Sequence, residues 1–93
     1  MAASTEVVVA YRDGFHARPA TMFAKTAAAF SSTITIENLT QRTQPVNAKS
    51  PLHILSAGIQ GQDRLRITAD GTDEQAAVEA LSHLINTNFG EIE

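Results

Sequence analysis

The apolar residues of this chain switch repeatedly between two spacings, and the switching limits the folds open to it. Thr33-Ile34-Thr35-Ile36-Glu37 alternates apolar and polar side chains, as a strand with one buried face does. Ala20, Phe23, Ala24, Ala27 and Phe30 instead recur every three or four residues, which puts them on one face of a helix over 17–30. Glu6-Val7-Val8-Val9-Ala10 is short and rich in β-branched residues and predicts a first strand. Arg64-Leu65-Arg66-Ile67-Thr68-Ala69 alternates again, with Leu65, Ile67 and Ala69 inward. Behind it, Thr72-Asp73-Glu74 combines a capping hydroxyl with two acids, and Ala77, Val78, Leu81, Leu84 and Ile85 supply a helical stripe. Gly90 releases the chain after Phe89.

The middle of the chain is weaker in pattern. Val46-Asn47-Ala48 reads as the hairpin partner of 33–37, joined to it by the polar stretch from Asn38 to Pro45. Ser50-Pro51 reads as N-cap and first position of a short helix that Gly58 stops, because a serine oxygen accepts a free backbone N–H there and proline loses nothing. Leu52, Leu55 and Ile59 fall at helical spacing, so some of them must enter the core. Gln60-Gly61-Gln62-Asp63 then turns the chain.

Strand, helix, two strands, helix, strand, helix, with no repeat and no linker, gives one α+β domain over 1–93 with helices covering one sheet face. Its 93 residues suit a single modest core. A net charge of −3 with scattered Lys and Arg offers nucleic acid no general attraction, so no nucleic-acid partner is expected. The absence of cysteine excludes a disulfide framework and a thiolate metal site. There is no apolar run of about 18 residues and no secretory leader pattern. A cytoplasmic protein without membrane insertion is therefore expected. Three dispersed histidines give no case for a metal, and no cofactor is expected.

Chemistry concentrates in Gly14-Phe15-His16-Ala17-Arg18-Pro19-Ala20. Gly14 turns the chain as it leaves the first strand, and the fixed φ of Pro19 suits a first helical turn, so a helix should begin near His16 or Ala17. The first N–H groups of a helix lack internal partners and carry partial positive charge, which suits an anion. His16 brings an imidazole nucleophile to that end, and Arg18 adds a planar fork of donors that fits phosphate oxygens. A helix cap and a solvated arginine would explain either residue alone. Asp13 either repels a phosphoryl group or caps the helix, and the cap is the preferred reading.

These seven residues resemble the active-site signature of HPr, the histidine phosphocarrier family of the phosphoenolpyruvate-dependent sugar phosphotransferase system. Lys49-Ser50 followed by Ser56-Ala57-Gly58-Ile59 resembles the family's second signature, and the segment from Ile67 to Glu74 resembles its last strand and final helix start. The resemblance implies an HPr-like two-layer open-faced sandwich, βαββαβα, with a four-stranded antiparallel sheet ordered 1-4-2-3. It also implies a phosphoryl relay more than an autonomous enzyme: phosphoenolpyruvate phosphorylates enzyme I, His16 accepts the group at Nδ1, and the A unit of a sugar-specific enzyme II receives it. Backbone N–H groups of Ala17 and Arg18 would hold phosphoryl oxygens with the Arg18 side chain assisting.

The same resemblance places Ala20, Thr21, Leu52, Leu55 and Ser56 around a partner-docking face, with Lys25 and Lys49 steering acidic partners. For Leu52 and Leu55, docking and core burial both stay open. Ser50 matches a serine that a regulatory HPr kinase phosphorylates in many Gram-positive members. Pro51 stands where the family usually has a bulky apolar residue and His53 where it often has glycine. The hairpin over 38–45 is about three residues longer than is usual there, which reads as an extended tip. A monomer is expected. The alternative reading is a regulatory HPr paralogue, nitrogen-related or dihydroxyacetone-kinase-linked, acting through protein contacts. A small-ligand sensor on a similar scaffold would need a pocket the sequence does not reveal.

Overall fold

β-Strand pairing sets the frame. In a computed structural model, which describes residues 2–10 and 14–91, the elements are β1 (Ala3–Val8), α1 (Ala17–Ala28), β2 (Thr33–Asn38), β3 (Val46–Asn47), α2 (Pro51–Ser56), β4 (Arg64–Asp70) and α3 (Glu74–Asn86). The sheet order is β1-β4-β2-β3 with every pair antiparallel, which is the order the resemblance implies. The last strand in sequence thus lies between the first and the second. α3 packs on β1 and β4, and α1 packs against both α2 and α3.

Alternation along the strands produces two unlike faces. Val7, Ile34, Ile36, Leu65, Ile67 and Ala69 are buried toward the helices, where they meet Phe23, Ala27, Ala77, Val78, Leu81 and Ile85. On the opposite face Glu6 and Glu37 flank Arg66 in register and pair with it at 3.2 and 3.5 Å. Such exposed pairs contribute at most about 1 kcal/mol each, so the sheet is held chiefly from its helical side.

Several boundaries differ from the sequence expectation for identifiable reasons. β1 covers 3–8 instead of 6–10, because its register runs from Ala3 opposite Ala69 to Val8 opposite Arg64 and so takes its length from β4. Val9 nevertheless stays buried, its N–H donating to the Asp63 carbonyl at 2.9 Å. α1 stops at Ala28, leaving Phe30 half-buried. α3 ends at Asn86, not after Phe89; Phe89 and Gly90 lie in a following turn over Asn88–Glu91, with left-handed φ of 57° and 73°.

In α2 the inward residue is Ile54, fully buried, whereas Leu52 is 77% exposed and Leu55 37% exposed. This helix has six residues, too few for apolar spacing to define a face, and its packing on α1 makes the choice. Ile59 does enter the core.

The start of α3 also departs from the expected cap. Asp73 is the N-cap residue, but its side chain makes no capping bond. It accepts instead from the backbone N–H groups of Ser31 at 2.8 Å and Ser32 at 3.0 Å, and from both serine hydroxyls. Those donors, the Ser32 hydroxyl foremost, lower the Asp73 pKa from 3.8 to about 2. The α1–β2 connection is thereby tied to the β4–α3 connection. Glu74, in the first turn, reaches back to accept from the Gly71 N–H at 3.1 Å.

Candidate functional site

The helix opening at α1 is built by three successive residues with different tasks. Gly14 has φ of 66°, and a side chain there would run into the Ile59 carbonyl and the Gln60 backbone, so only glycine fits this close passage. Phe15 then fixes the chain: its N–H donates to the Ile59 carbonyl at 3.0 Å, and its ring is 5% exposed. That ring stands 5.6 Å from Phe23 and 5.2 Å from Phe89, centroid to centroid, the latter edge-on. His16 follows with extended dihedrals (φ −91°, ψ −166°) as the N-cap of α1.

An N-cap side chain normally turns back to accept a helix N–H. The His16 side chain makes no such capping bond and is exposed, so the imidazole is directed to the surface at the helix opening. Ala17 and Arg18, the first two helical residues, are exposed as well. Helix geometry gives their N–H groups no internal acceptor. Pro19 has no N–H, and the Ala20 N–H already donates to the His16 carbonyl at 3.0 Å. Two backbone donors are therefore left for an anion at the end of a helix of 12 residues. The Arg18 side chain makes no hydrogen bond or ion pair with any described residue, which leaves its guanidinium available. Asp13, read from sequence as a cap, lies outside the described residues, as does Arg12.

A second network supports the loop from below. Asn38, buried within β2, donates from Nδ2 to the Asp63 carboxylate at 2.9 Å and to the Ala57 carbonyl at 3.2 Å. The Asp63 carboxylate also accepts from the Gln60 N–H at 2.9 Å. This fixes the Gly58–Asp63 turn on which Gly14 and Phe15 are seated. From sequence alone Asn38 reads as the first residue of a hairpin connection, and only its burial among polar partners reveals this duty.

The expected partner face divides on burial. Thr21, Leu52, Leu55 and Ser56 are exposed, with the two leucines prominent on the helix that packs beside α1. Ala20 is fully buried and belongs to the core, because it lies on the buried face of α1 with Phe23, Ala24 and Ala27. Lys25 is exposed, whereas Lys49 Nζ donates to the Phe30 carbonyl at 2.8 Å and pins the segment that follows α1. The Ser50 hydroxyl caps α2 by accepting from the His53 N–H at 3.3 Å, with Pro51 at the first helical position. No helix is long and apolar enough to cross a membrane, and no cluster of three or more His, Asp or Glu side chains gathers for a metal, among the described residues.

Comparison with known proteins identifies the family and the fold. The family described as the PTS HPr component phosphorylation site matches residues 3–87. The chain is similar to the multiphosphoryl transfer protein of Escherichia coli O157:H7, at 39% identity over 88 residues covering 95% of this chain but 23% of that protein. It thus spans less than a quarter of such curated relatives. Among solved structures, HPr-C-His from Thermoanaerobacter tengcongensis superposes with a TM-score of 0.88 at 37% identity, covering 98% of this chain and 99% of that one. The phosphocarrier protein HPr from Bacillus anthracis str. Ames gives a TM-score of 0.83 at 34% identity, over 90% and 96%. Crh of Bacillus subtilis, the catabolite repression HPr, gives 0.65 at 31% identity, over 89% and 95%.

Proposed function

Because the chain belongs to the HPr family of the phosphotransferase system, we propose that His16 accepts a phosphoryl group from phospho-enzyme I and passes it to the A unit of a sugar-specific enzyme II. The observation that carries this reading is the N-cap imidazole that is exposed and does not cap, next to two unused helix donors. In the forward step the Nδ1 lone pair forms a nitrogen–phosphorus bond while the bond from phosphorus to the donor breaks, and the donor leaves with that electron pair. Transfer onward repeats the exchange with His16 as leaving group.

The surroundings suit a group that must be held and then released. Phosphoryl oxygens would meet the N–H groups of Ala17 and Arg18 and the positive end of α1, with the Arg18 guanidinium closing from the side. Hydrogen bonds to charged groups contribute about 1.5–3 kcal/mol each. That orients the phosphoryl group for in-line displacement without trapping it. Exposed Leu52 and Leu55, with Thr21 and Ser56, form the apolar and polar surface against which enzyme I and the enzyme II A unit would dock. A monomeric, cytoplasmic relay follows from the same reading.

The experiment is incubation with phosphoenolpyruvate and enzyme I, read by intact mass and by acid lability. The chain should gain one acid-labile phosphoryl group. His16→Ala should gain none, and Arg18→Ala should gain it about 10- to 100-fold more slowly, the loss expected from one charged hydrogen-bonding group. An acid-stable adduct, or full labelling of His16→Ala, would refute the assignment. Ser50 is a second candidate for modification; mass after treatment with an HPr kinase and ATP tests it separately.

A further inference from the structure

We propose that Phe89 is a positioning residue for the phosphoryl-accepting histidine, acting through Phe15. Phe89 lies beyond residues 3–87, the part of the chain that the family description matches. It is nevertheless 2% exposed, and its ring meets the Phe15 ring edge-on at 5.2 Å. Phe15 is the residue immediately before His16. The segment after α3 therefore reaches back to the loop that opens α1.

The backbone at this contact is unusual. Asn88, Phe89 and Gly90 take left-handed φ of 53°, 57° and 73° in succession. A glycine adopts that region freely, whereas a large side chain does not. Asn88 Oδ1 is buried without a hydrogen-bond partner among the described residues. The conformation delivers the Phe89 ring into the core. There the ring closes one side of Phe15, whose other aromatic neighbour is Phe23 at 5.6 Å.

Phe15 is thus held at three points: its backbone by the Ile59 carbonyl at 3.0 Å, and its ring by Phe23 and Phe89. Phe23 belongs to α1 itself and moves with the helix. Phe89 comes from outside α1 and fixes the ring relative to α3. Without it Phe15 retains neighbours but gains room to shift, and the first atoms to follow are those of His16. In-line transfer tolerates little displacement, since an error of about 1 Å in the reacting atoms costs up to about 100-fold.

The proposal rests on the phosphocarrier reading for its kinetic test and on hydrogen exchange for an independent one. Phe89→Ala, Phe89→Leu and a control, Val78→Ala, are compared at a temperature where urea titration shows all three fully folded. Val78 is buried on α3 about three turns before Phe89, so its truncation destabilises the domain while leaving the Phe15–Phe89 ring pair intact. In Phe89→Ala the Phe15 amide should exchange at least tenfold faster than global stability predicts, and kcat for phosphorylation by enzyme I should fall about tenfold with KM little changed. Phe89→Leu should recover most of both, and Val78→Ala should keep the parent kcat. Parent-like Phe15 exchange and kcat in Phe89→Ala would overturn the proposal, as would an equal kcat loss in Val78→Ala. If the parent chain takes no phosphoryl group at all, the phosphocarrier reading fails by itself, and Phe15 exchange still decides whether Phe89 braces the loop.

Discussion

Replacing Gly14 by alanine tests how the site loop is seated, and Gly58→Ala supplies its internal standard. Both glycines have left-handed φ, 66° and 60°. An alanine forced into that region costs about 1–2 kcal/mol, offset by about 0.4–1 kcal/mol from the stiffer unfolded chain, and these contributions are common to both variants. The surroundings differ. A Cβ on Gly58 meets nothing within 4 Å, while one on Gly14 runs into the Ile59 carbonyl oxygen and the Gln60 backbone. Backbone atoms cannot swing aside as a side chain can, so the loop must lift and the Phe15 N–H to Ile59 bond lengthens. Losing that bond costs about 0.5–1.5 kcal/mol, and the displaced contacts of Phe15 add to it. Gly14→Ala should therefore be about 1.5 kcal/mol less stable than Gly58→Ala. For a domain of this size that is a difference of about 6–12 °C in Tm, with a matching fall in the urea midpoint at unchanged slope. Circular dichroism during thermal and urea unfolding measures both. Equal midpoints for the two variants would refute the reasoning, since the close passage is the only difference between the sites that it uses.

Two further outcomes follow from the fold. The folded-state pKa of Asp73 is lowered to about 2 from 3.8 by the Ser31 and Ser32 donors, so its stabilisation is complete above about pH 4 and is lost as pH falls toward 2. Asp73→Asn should flatten the decline of Tm across that window, and an unchanged acid limb would disprove the assignment. In α2, Ile54→Ala should cost about 2–5 kcal/mol because Ile54 is fully buried, whereas Leu52→Ala should alter stability by less than about 0.5 kcal/mol yet raise KM for enzyme I. Urea titration and steady-state labelling separate the two effects; a large stability loss in Leu52→Ala would remove it from the proposed docking surface.

Much of this protein is set locally and can be read from the order of its residues. Period-two and period-3.6 spacing reflect backbone geometry alone, so Ile34, Ile36, Leu65, Ile67, Phe23, Ala27 and Leu81 declare their inward side without reference to partners. The same holds for Ser50-Pro51 at a helix start and for His16 at the opening of α1, since capping depends on a few adjacent dihedrals. Tertiary structure decided what depends on distant neighbours. β1 took its limits from β4, Ile54 displaced the two leucines of α2, and Asp73 left its own helix for serines more than 40 residues away. Asn38 became a buried link to Asp63, and Phe89 was carried back to Phe15. Each of these is a choice among contacts that local geometry leaves equally open, and only simultaneous packing of all the elements supplies the energy difference that selects one.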